Sequence, residues 1–313
     1  MRAMILTVGT RGSKLSLAQT GTVLSSLKRV YPDVEFKVKI IKTLGDIENR
    51  KPLFAIDSKG IFEREIDYAI EKGEVDLAVH SLKDVPMFEQ RNIIIAAIPK
   101  RGSPNDVLIS SRKQPLDALP KGAVVGTGSL RRMAQLKYIR PDLEVQPIRG
   151  NVDTRIRKVS RGEIDAIVVA EAGLQRLGME NEVAERLPLD EFPSAAGQGA
   201  LAIVTRKDNH EVAKLLRVVD DVGTRAEVTA ERSAVMALEG GCRVPIGTVG
   251  HANGNKLSLK AYVFSLSSQK RISSFAEGEL DEAEELGKAV AKDLISQGAK
   301  DFEKEWREKY GAW

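Results

Sequence analysis

With 313 residues, 42% of them hydrophobic and 29% charged, the chain has enough apolar material for two or three domains with their own cores. Its one cysteine, Cys242, excludes an internal disulfide and a cysteine-built zinc site, and His80, His210 and His251 lie too far apart in sequence to suggest a structural metal. The N-terminal stretch has no signal-peptide core and no apolar run approaches membrane-spanning length, so a cytoplasmic protein without a membrane partner is expected.

Strands are predicted at AMILTVG, EFKVKII, VDLAV and NIIIAAI, with helical spacing between them at LSLAQTGTVLSSLKRV and IFEREIDYAIEKG. The stretch PKRGSP, Pro99 to Pro104, reads as a break between domains. Strands follow at AVVGT, EVQPI and DAIVVA, with a helix at LRRMAQLKYI, then a second break near FPSAAGQG and a strand at ALAIVT. This alternation predicts an α/β fold with largely parallel sheets. After Val222 the texture changes to a helix at RAEVTAERSAVMALEG, a hairpin at IGTVGHANGNKLSLKAYVFS and an amphipathic helix at DEAEELGKAVAKDLISQ, which predicts a small α+β domain.

The net charge is +4, but it is unevenly spread. From Lys121 to Arg161 ten Lys and Arg face three acids, so that segment alone carries +7. Guanidinium groups bind carboxylate and phosphate in a two-pronged geometry, so an anionic partner is one reading; a solvated helix face rich in charge is the other.

Several polar clusters follow directly after predicted strands, where open α/β sheets place their ligand sites. TRGSKLSLAQ follows the first strand and opens a helix, so Arg11 and the free amides near Ser13 could meet an anion. GTGSLRR repeats this arrangement, with hydroxyls on Thr127 and Ser129 and two cations, Arg131 and Arg132, in the first helical turn, where they oppose the helix dipole unless an anion is bound. IRGNVDTRIRK supplies Arg149, a glycine turn, Asn151 or Asp153 as a cap, and Arg155. Neither glycine pattern is a Walker or dinucleotide loop. In VDLAVHSLKDVP a strand ends at Val79 and Asp84 lies just beyond, beside Lys83 and before Pro86. It either caps a turn or, facing an arginine-lined cleft, steadies a developing cation and moves a proton.

Six blocks, TRGSKLSLAQ, HSLKDVP, GTGSLRR, IRGNVDTR, FPSAAGQGAL and LEGGCRVPIG, stand in this order between Thr10 and Gly247 and together closely resemble the porphobilinogen deaminase (hydroxymethylbilane synthase) family. Beyond Gly247 the resemblance rests on position alone. It implies a transferase that condenses four porphobilinogen molecules, each losing ammonia, onto a dipyrromethane cofactor and releases a linear tetrapyrrole with water. The cofactor would be joined to Cys242 through a thioether, which gives the lone cysteine between two glycines and an arginine a use as a nucleophile rather than as a core residue. Each pyrrole brings an acetate and a propionate, which the arginines would answer.

By the same resemblance Lys83, Thr127, Ser129, Arg131, Arg132 and Asp46 would meet the cofactor, and Arg11, Ser13, Arg149, Arg155, Arg176, Phe62 and Gln198 the substrate or growing chain. Phe62 would stack on a pyrrole, although it also suits a helix core position. Asp84 would be the catalytic acid, assisting ammonia departure, stabilising the azafulvene cation and helping to remove the α-proton. Lys59 would lie on a lid; many members have lysine where this chain has Ala55, and Lys59 or Lys51 would substitute. The implied fold has two periplasmic-binding-protein-like α/β lobes plus a small α+β domain: residues 1–99 with 200–219, residues 100–199, and residues 220–313. A monomer with no nucleic-acid partner and no metal is implied. A non-catalytic two-lobed module for polycarboxylates or phosphates would share the arginine sockets without needing Asp84 or Cys242. Nucleic-acid binding is weaker, since aromatics are 5% and no binding motif is present.

Overall fold

The computed structural model describes residues 4–47, 63–87, 92–238, 245–265 and 269–310. The described residues up to Gly102, with Gly199–Arg225, form one compact unit, and Ser103–Gln198 with the residues from Ala226 onward form another.

The chain opens with strand β1, Ile5–Thr10, whose inner face is buried, and helix α1, Lys14–Val30. Ser13 caps α1 by accepting the Ser16 N–H at 3.2 Å, while Lys28 and Arg29 in the last turn complement the helix dipole. Thr20, Val23, Leu24 and Leu27 recur at helical spacing on the buried face, and Leu27 is completely enclosed beside Leu6, Val8 and Leu77. Strand β2, Glu35–Ile40, runs parallel to β1. The short helix α2, Leu44–Ile47, and helix α3, Arg64–Glu71, follow in the described chain. Strand β3, Leu77–Ser81, is parallel to β1, and β4, Ile93–Ala97, closes this part of the chain.

Residues 98–105 carry no regular structure, and the boundary between the units falls within them, as the prolines and glycine of PKRGSP lead one to expect. In the second unit, β5 (Asp106–Ser110), β6 (Val124–Gly126), α4 (Leu130–Ile139), β7 (Glu144–Gln146), α5 (Val152–Ser160), β8 (Ala166–Ala170), α6 (Glu171–Leu177) and β9 (Glu185–Arg186) build a sheet of order β7-β6-β8-β5-β9. Strand β10, Leu201–Arg206, then returns to the first unit and inserts between β3 and β4, giving the order β2-β1-β3-β10-β4.

Both sheets are mixed rather than largely parallel, which corrects the expectation above. Strand β10 is antiparallel to β3 and β4, and β5 is antiparallel to β8 and β9, because each enters its sheet from the other unit rather than through a βαβ crossover. The parallel pairs, β1 with β2 and β3, and β6 with β7 and β8, form one side of each sheet, with β2 and β7 at the edge. All five residues of β5 are buried, yet the sequence reading missed this strand because it starts on an aspartate immediately after a proline break.

Helix α7, His210–Leu216, completes the first unit, and α8, Val222–Ala237, leads out of it. The expected hairpin is β11, Ile246–Asn253, with β12, Lys256–Phe264, paired in antiparallel register from Ile246↔Val263 to Asn253↔Lys256. A third strand, β13, Arg271–Glu279, and helices α9, Ala283–Ser296, and α10, Ala299–Tyr310, finish the domain; β13 and α10 were not anticipated. Trp306 of α10 is fully buried among Leu130, Ala134, Tyr262 and Phe264, and its Nε1 donates to the Phe264 carbonyl at 3.0 Å. This cluster fastens α4 to the C-terminal sheet, and α4 carries Arg131 and Arg132.

Candidate active-site residues

In the first unit the chemistry collects at the C-terminal ends of two parallel neighbours, β1 and β3, which pair Val8↔Leu77 and Gly9↔Ala78. Arg11 follows β1 directly. Beneath it Thr20 donates from Oγ1 to Thr10 Oγ1 at 3.0 Å, and Thr10 donates onward to the Arg11 carbonyl at 3.4 Å, with both threonines buried. Ser13 is committed as the α1 cap and also lies 2.8 Å from Ser16 Oγ. Strand β3 runs two residues further than expected, to Ser81, and its end is tied to α1 by Gln19 Nε2 donating to Ser81 Oγ at 2.8 Å.

A single 3-10 turn, Leu82–Asp84, follows. Leu82 is fully buried and its N–H donates to the Ala200 carbonyl at 3.0 Å, which anchors the turn so that Lys83 is half-buried and Asp84 is exposed. His80 is buried with Nε2 3.7 Å from Asp67 Oδ1. Burial, and then the positive charge of Arg11, push its pKa down to about 4, so it is neutral at pH 7.

In the second unit the network centres on Asp106, a residue the sequence reading overlooked. Its side chain is fully enclosed and accepts from Arg131 Nη2 at 2.7 Å, Arg132 Nε at 3.1 Å, Arg132 Nη2 at 2.6 Å and Gln198 Nε2 at 2.9 Å. Burial alone would raise the Asp106 pKa, but the charges and hydrogen bonds of Arg131 and Arg132 outweigh it and hold the carboxyl far below the usual carboxylate range. The anion that answers two cations at this helix start is therefore, in the first instance, the chain's own. Arg131 is held further by donating from Nη1 to Gln135 Oε1 at 3.0 Å and to the Pro193 carbonyl at 2.5 Å.

Ser129, Thr127 and Gln198 adjoin this network, and Arg149, Arg155 and Arg176 lie on later elements of the same unit. Ser129 caps α4, accepting the Arg132 N–H at 3.4 Å, and Thr127 is fully buried inside the same turn, with Oγ1 accepting the Ser129 N–H at 3.2 Å. Gln198, expected to meet substrate, has no exposed surface; its amide serves Asp106, the Pro104 carbonyl and Arg132 Nη2, so its reach to any ligand runs through Arg132. Gly150 at φ +107° makes the turn after Arg149, a backbone conformation suited to glycine, and Asn151 caps α5 by position without a side-chain bond. Arg155 donates from Nε to the Gly150 carbonyl at 2.8 Å, and its pKa is pushed down to about 10 by burial and then by the charges of Arg132 and Arg149, with no carboxylate among the causes. Arg176 on α6 is lowered to about 10 by burial.

Of the remaining predicted residues, Asp46 falls on α2 with its side chain outside those described, and Cys242, Lys59, Phe62, Ala55 and Lys51 lie outside the described residues. The signal that could have found Asp106 is simple: it is the only acid between Lys100 and Lys113.

Comparison with known proteins decides what this arrangement belongs to. Residues 6–214 match the family model described as porphobilinogen deaminase, dipyromethane cofactor binding domain, and residues 225–296 match the porphobilinogen deaminase C-terminal domain. The chain belongs to the porphobilinogen deaminase family. A probable porphobilinogen deaminase of Nitrosopumilus maritimus is 44% identical over 98% of this chain and 98% of its own length. A porphobilinogen deaminase of Desulforudis audaxviator is 46% identical over 93% and 94%. Among solved structures, the BenM effector binding domain with benzoate aligns with 69% of this chain and 91% of its own length at 12% identity and a TM-score of 0.41, a similarity that carries no functional argument. The expected α/β fold with a small C-terminal α+β domain is borne out.

The residues present fit the family's dipyrromethane cofactor. Its carboxylates need cationic donors, and the ends of β6 and β7 supply Arg131 and Arg132, both held on the buried acid Asp106, with Arg149 and Arg155 close enough to Arg132 for their charges to act on one another. Arg131 Nε is buried with no hydrogen-bond partner among the described residues, and Arg155 is held below its ordinary pKa first by burial and then by the neighbouring charges of Arg132 and Arg149, a repulsion that an added anion would relieve. Among the described residues no helix is long and apolar enough to cross a membrane.

Proposed function

We propose that this chain is a transferase that joins four porphobilinogen molecules in sequence, with loss of ammonia at each addition, on a dipyrromethane group attached to Cys242, and releases hydroxymethylbilane by hydrolysis. The observation that carries the reading is the pair of buried guanidinium groups, Arg131 and Arg132, held on Asp106 at the start of α4, in a chain matched to this family along most of its length. When bound, the dipyrromethane supplies the pyrrole carbon at which the product grows.

The chain's own residues divide the remaining work. Arg131 and Arg132, pre-oriented by Asp106, with Ser129, Thr127 and Lys83, hold the cofactor carboxylates; Asp46 joins them. Arg149, Arg155 and Arg176 receive the acetate and propionate groups of incoming units, and Arg11 and Ser13 do so at the end of β1. Pre-organised cations lower the cost of bringing each pair of new negative charges into place, since they need not reorganise as the charge arrives. Gln198 supports this binding through Arg132. Asp84, exposed on a turn anchored by Leu82, protonates the departing amine and steadies the positive charge left on the substrate methylene; a positioned acid of this kind contributes on the order of 10²–10⁴ in rate. Lys59 and Phe62 complete the proposal as lid and stacking residues.

The same reading divides the chain into three domains, residues 1–99 with 200–219, 100–199 and 220–313, one around each sheet, and has it act as a monomer in the cytoplasm without nucleic-acid or membrane partners. The deciding experiment is the intact mass of the purified protein with peptide mapping around Cys242. An added mass of two linked pyrrole units on Cys242 is expected. A thiol that stays bare after incubation with porphobilinogen or hydroxymethylbilane would overturn the assignment in favour of a non-catalytic binding module.

A further inference from the structure

Glu231 has no exposed surface and no part in the roles assigned above. Its carboxylate accepts the Gly197 N–H through Oε2 at 2.7 Å and the Gly250 N–H through Oε1 at 2.9 Å. Glu231 lies on α8 and Gly250 on β11, the two elements that flank, in sequence, the segment containing Cys242. Gly197 lies in the stretch 193–198, and that stretch also builds the arginine network: the Pro193 carbonyl accepts from Arg131 Nη1 at 2.5 Å and Gln135 Nε2 at 2.9 Å, and Gln198 bonds Asp106 and Arg132. The same stretch is joined to β11 a second time. The Thr248 N–H donates to the Ser194 carbonyl at 2.8 Å, and Ser194 Oγ donates back to the Thr248 carbonyl at 2.8 Å. Gly247 approaches so closely that a Cβ there would sit 2.5 Å from Pro193 Cγ.

We propose that Glu231 is a positioning residue: by holding Gly197 and Gly250 on one carboxylate, it keeps both stems of the cysteine segment in register with the Asp106–Arg131–Arg132 network. The inference rests on Cys242 being the attachment point. Two N–H donors, that of Gly197 buried and that of Gly250 part-buried, need two acceptor oxygens, and a carboxylate supplies them with no donor of its own. Glutamine offers one oxygen and one amide N–H₂, so one backbone donor would face another donor. The stems would then shift relative to the arginines, and misplacements of about 1 Å in a reacting constellation cost on the order of 10²-fold.

The test uses full-length chain made in a host that produces no porphobilinogen, incubated with hydroxymethylbilane, with the mass gained at Cys242 followed over time well below each variant's melting temperature. Glu231→Gln is expected to load roughly tenfold or more slowly than wild type, and Ser194→Ala to slow in the same direction by less. Leu27→Ala, in the enclosed core of the other unit, is expected to lower stability and leave the loading rate unchanged. Loading of Glu231→Gln at the wild-type rate, or equal slowing of Leu27→Ala at the same margin below its melting temperature, overturns the proposal. If Glu231→Gln does not fold, an unchanged rate for Ser194→Ala overturns it. Wild type gaining no mass would instead remove the Cys242 reading, and this proposal with it.

Discussion

Replacing Asp106 with asparagine changes one atom in the middle of the arginine network and removes its only described anion. Wild-type Asp106 receives four donors, from Arg131, Arg132 twice and Gln198, while Arg131 and Arg132 are themselves buried at 5% and 7% exposure. In Asp106→Asn one oxygen is kept, but the new N–H₂ faces a guanidinium, and two buried cations lose their counter-charge. Breaking a buried ion pair by removing one partner costs about 3–5 kcal/mol, a large part of the roughly 5–15 kcal/mol that stabilises a domain. For a unit of this size that corresponds to a fall in melting temperature of roughly 6–20 °C. The pH dependence supplies a sharper check. The folded-state pKa of Asp106 is depressed, so its contribution is present above the unfolded carboxylate value near 3.8 and is lost as pH falls towards the folded value. Chemical denaturation at pH 7 and at successively lower pH should show Asp106→Asn much weaker at neutrality, with the gap to wild type narrowing in acid. Equal stability at pH 7, or a gap that stays constant down to pH 3, would refute the account of Asp106 as the built-in counter-ion.

Asp84→Asn should keep the Cys242-linked mass and the wild-type melting temperature while turnover falls by on the order of 10²–10⁴, measured as tetrapyrrole formed per minute; a variant retaining more than about a tenth of wild-type turnover would exclude the acid role. His80 is held neutral by burial, its pKa lowered from 6.5 to about 4, so protonation is favoured in the unfolded chain, and stability should fall by up to about 3 kcal/mol as pH drops from 6.5 to 4. His80→Gln should flatten that part of the stability profile, and an unchanged slope would assign it to other groups. Trp306→Ala, which empties the cluster joining α4 to the C-terminal sheet, should cost about 3–5 kcal/mol in denaturant titration, and a loss below 1 kcal/mol would mean that α4 is held by other contacts.

The motifs and the alternation of elements were legible in the linear sequence because they depend on local rules. Strand, turn and helix start at TVGTRGS and VVGTGSL are set by residues within a few positions of one another; that Ser13 and Ser129 cap the helices that follow was not read from the sequence, and the cap that was, at α5, is filled by Asn151 without a side-chain bond. The arginines after β6 and β7 could be named for the same reason, since a residue following a parallel strand lies at the binding end of its sheet. Strand direction was not legible: β10 and β5 have the same apolar texture as their parallel neighbours, and only the path of the chain through two units makes them antiparallel.

Which charge meets which was decided by tertiary structure alone. Asp106 stands 25 and 26 residues from the arginines it holds, 92 from Gln198, and Glu231 is 34 from Gly197. A buried carboxylate is tolerable only where several donors converge on it from different elements. Local order along the chain thus puts guanidinium groups at the ends of the sheets and one cysteine after two glycines. The fold decided that those groups would be organised around an internal acid, and that the stretch organising them would be bonded to both stems of the cysteine segment, because convergence of distant donors on one buried acceptor exists only once the chain has folded.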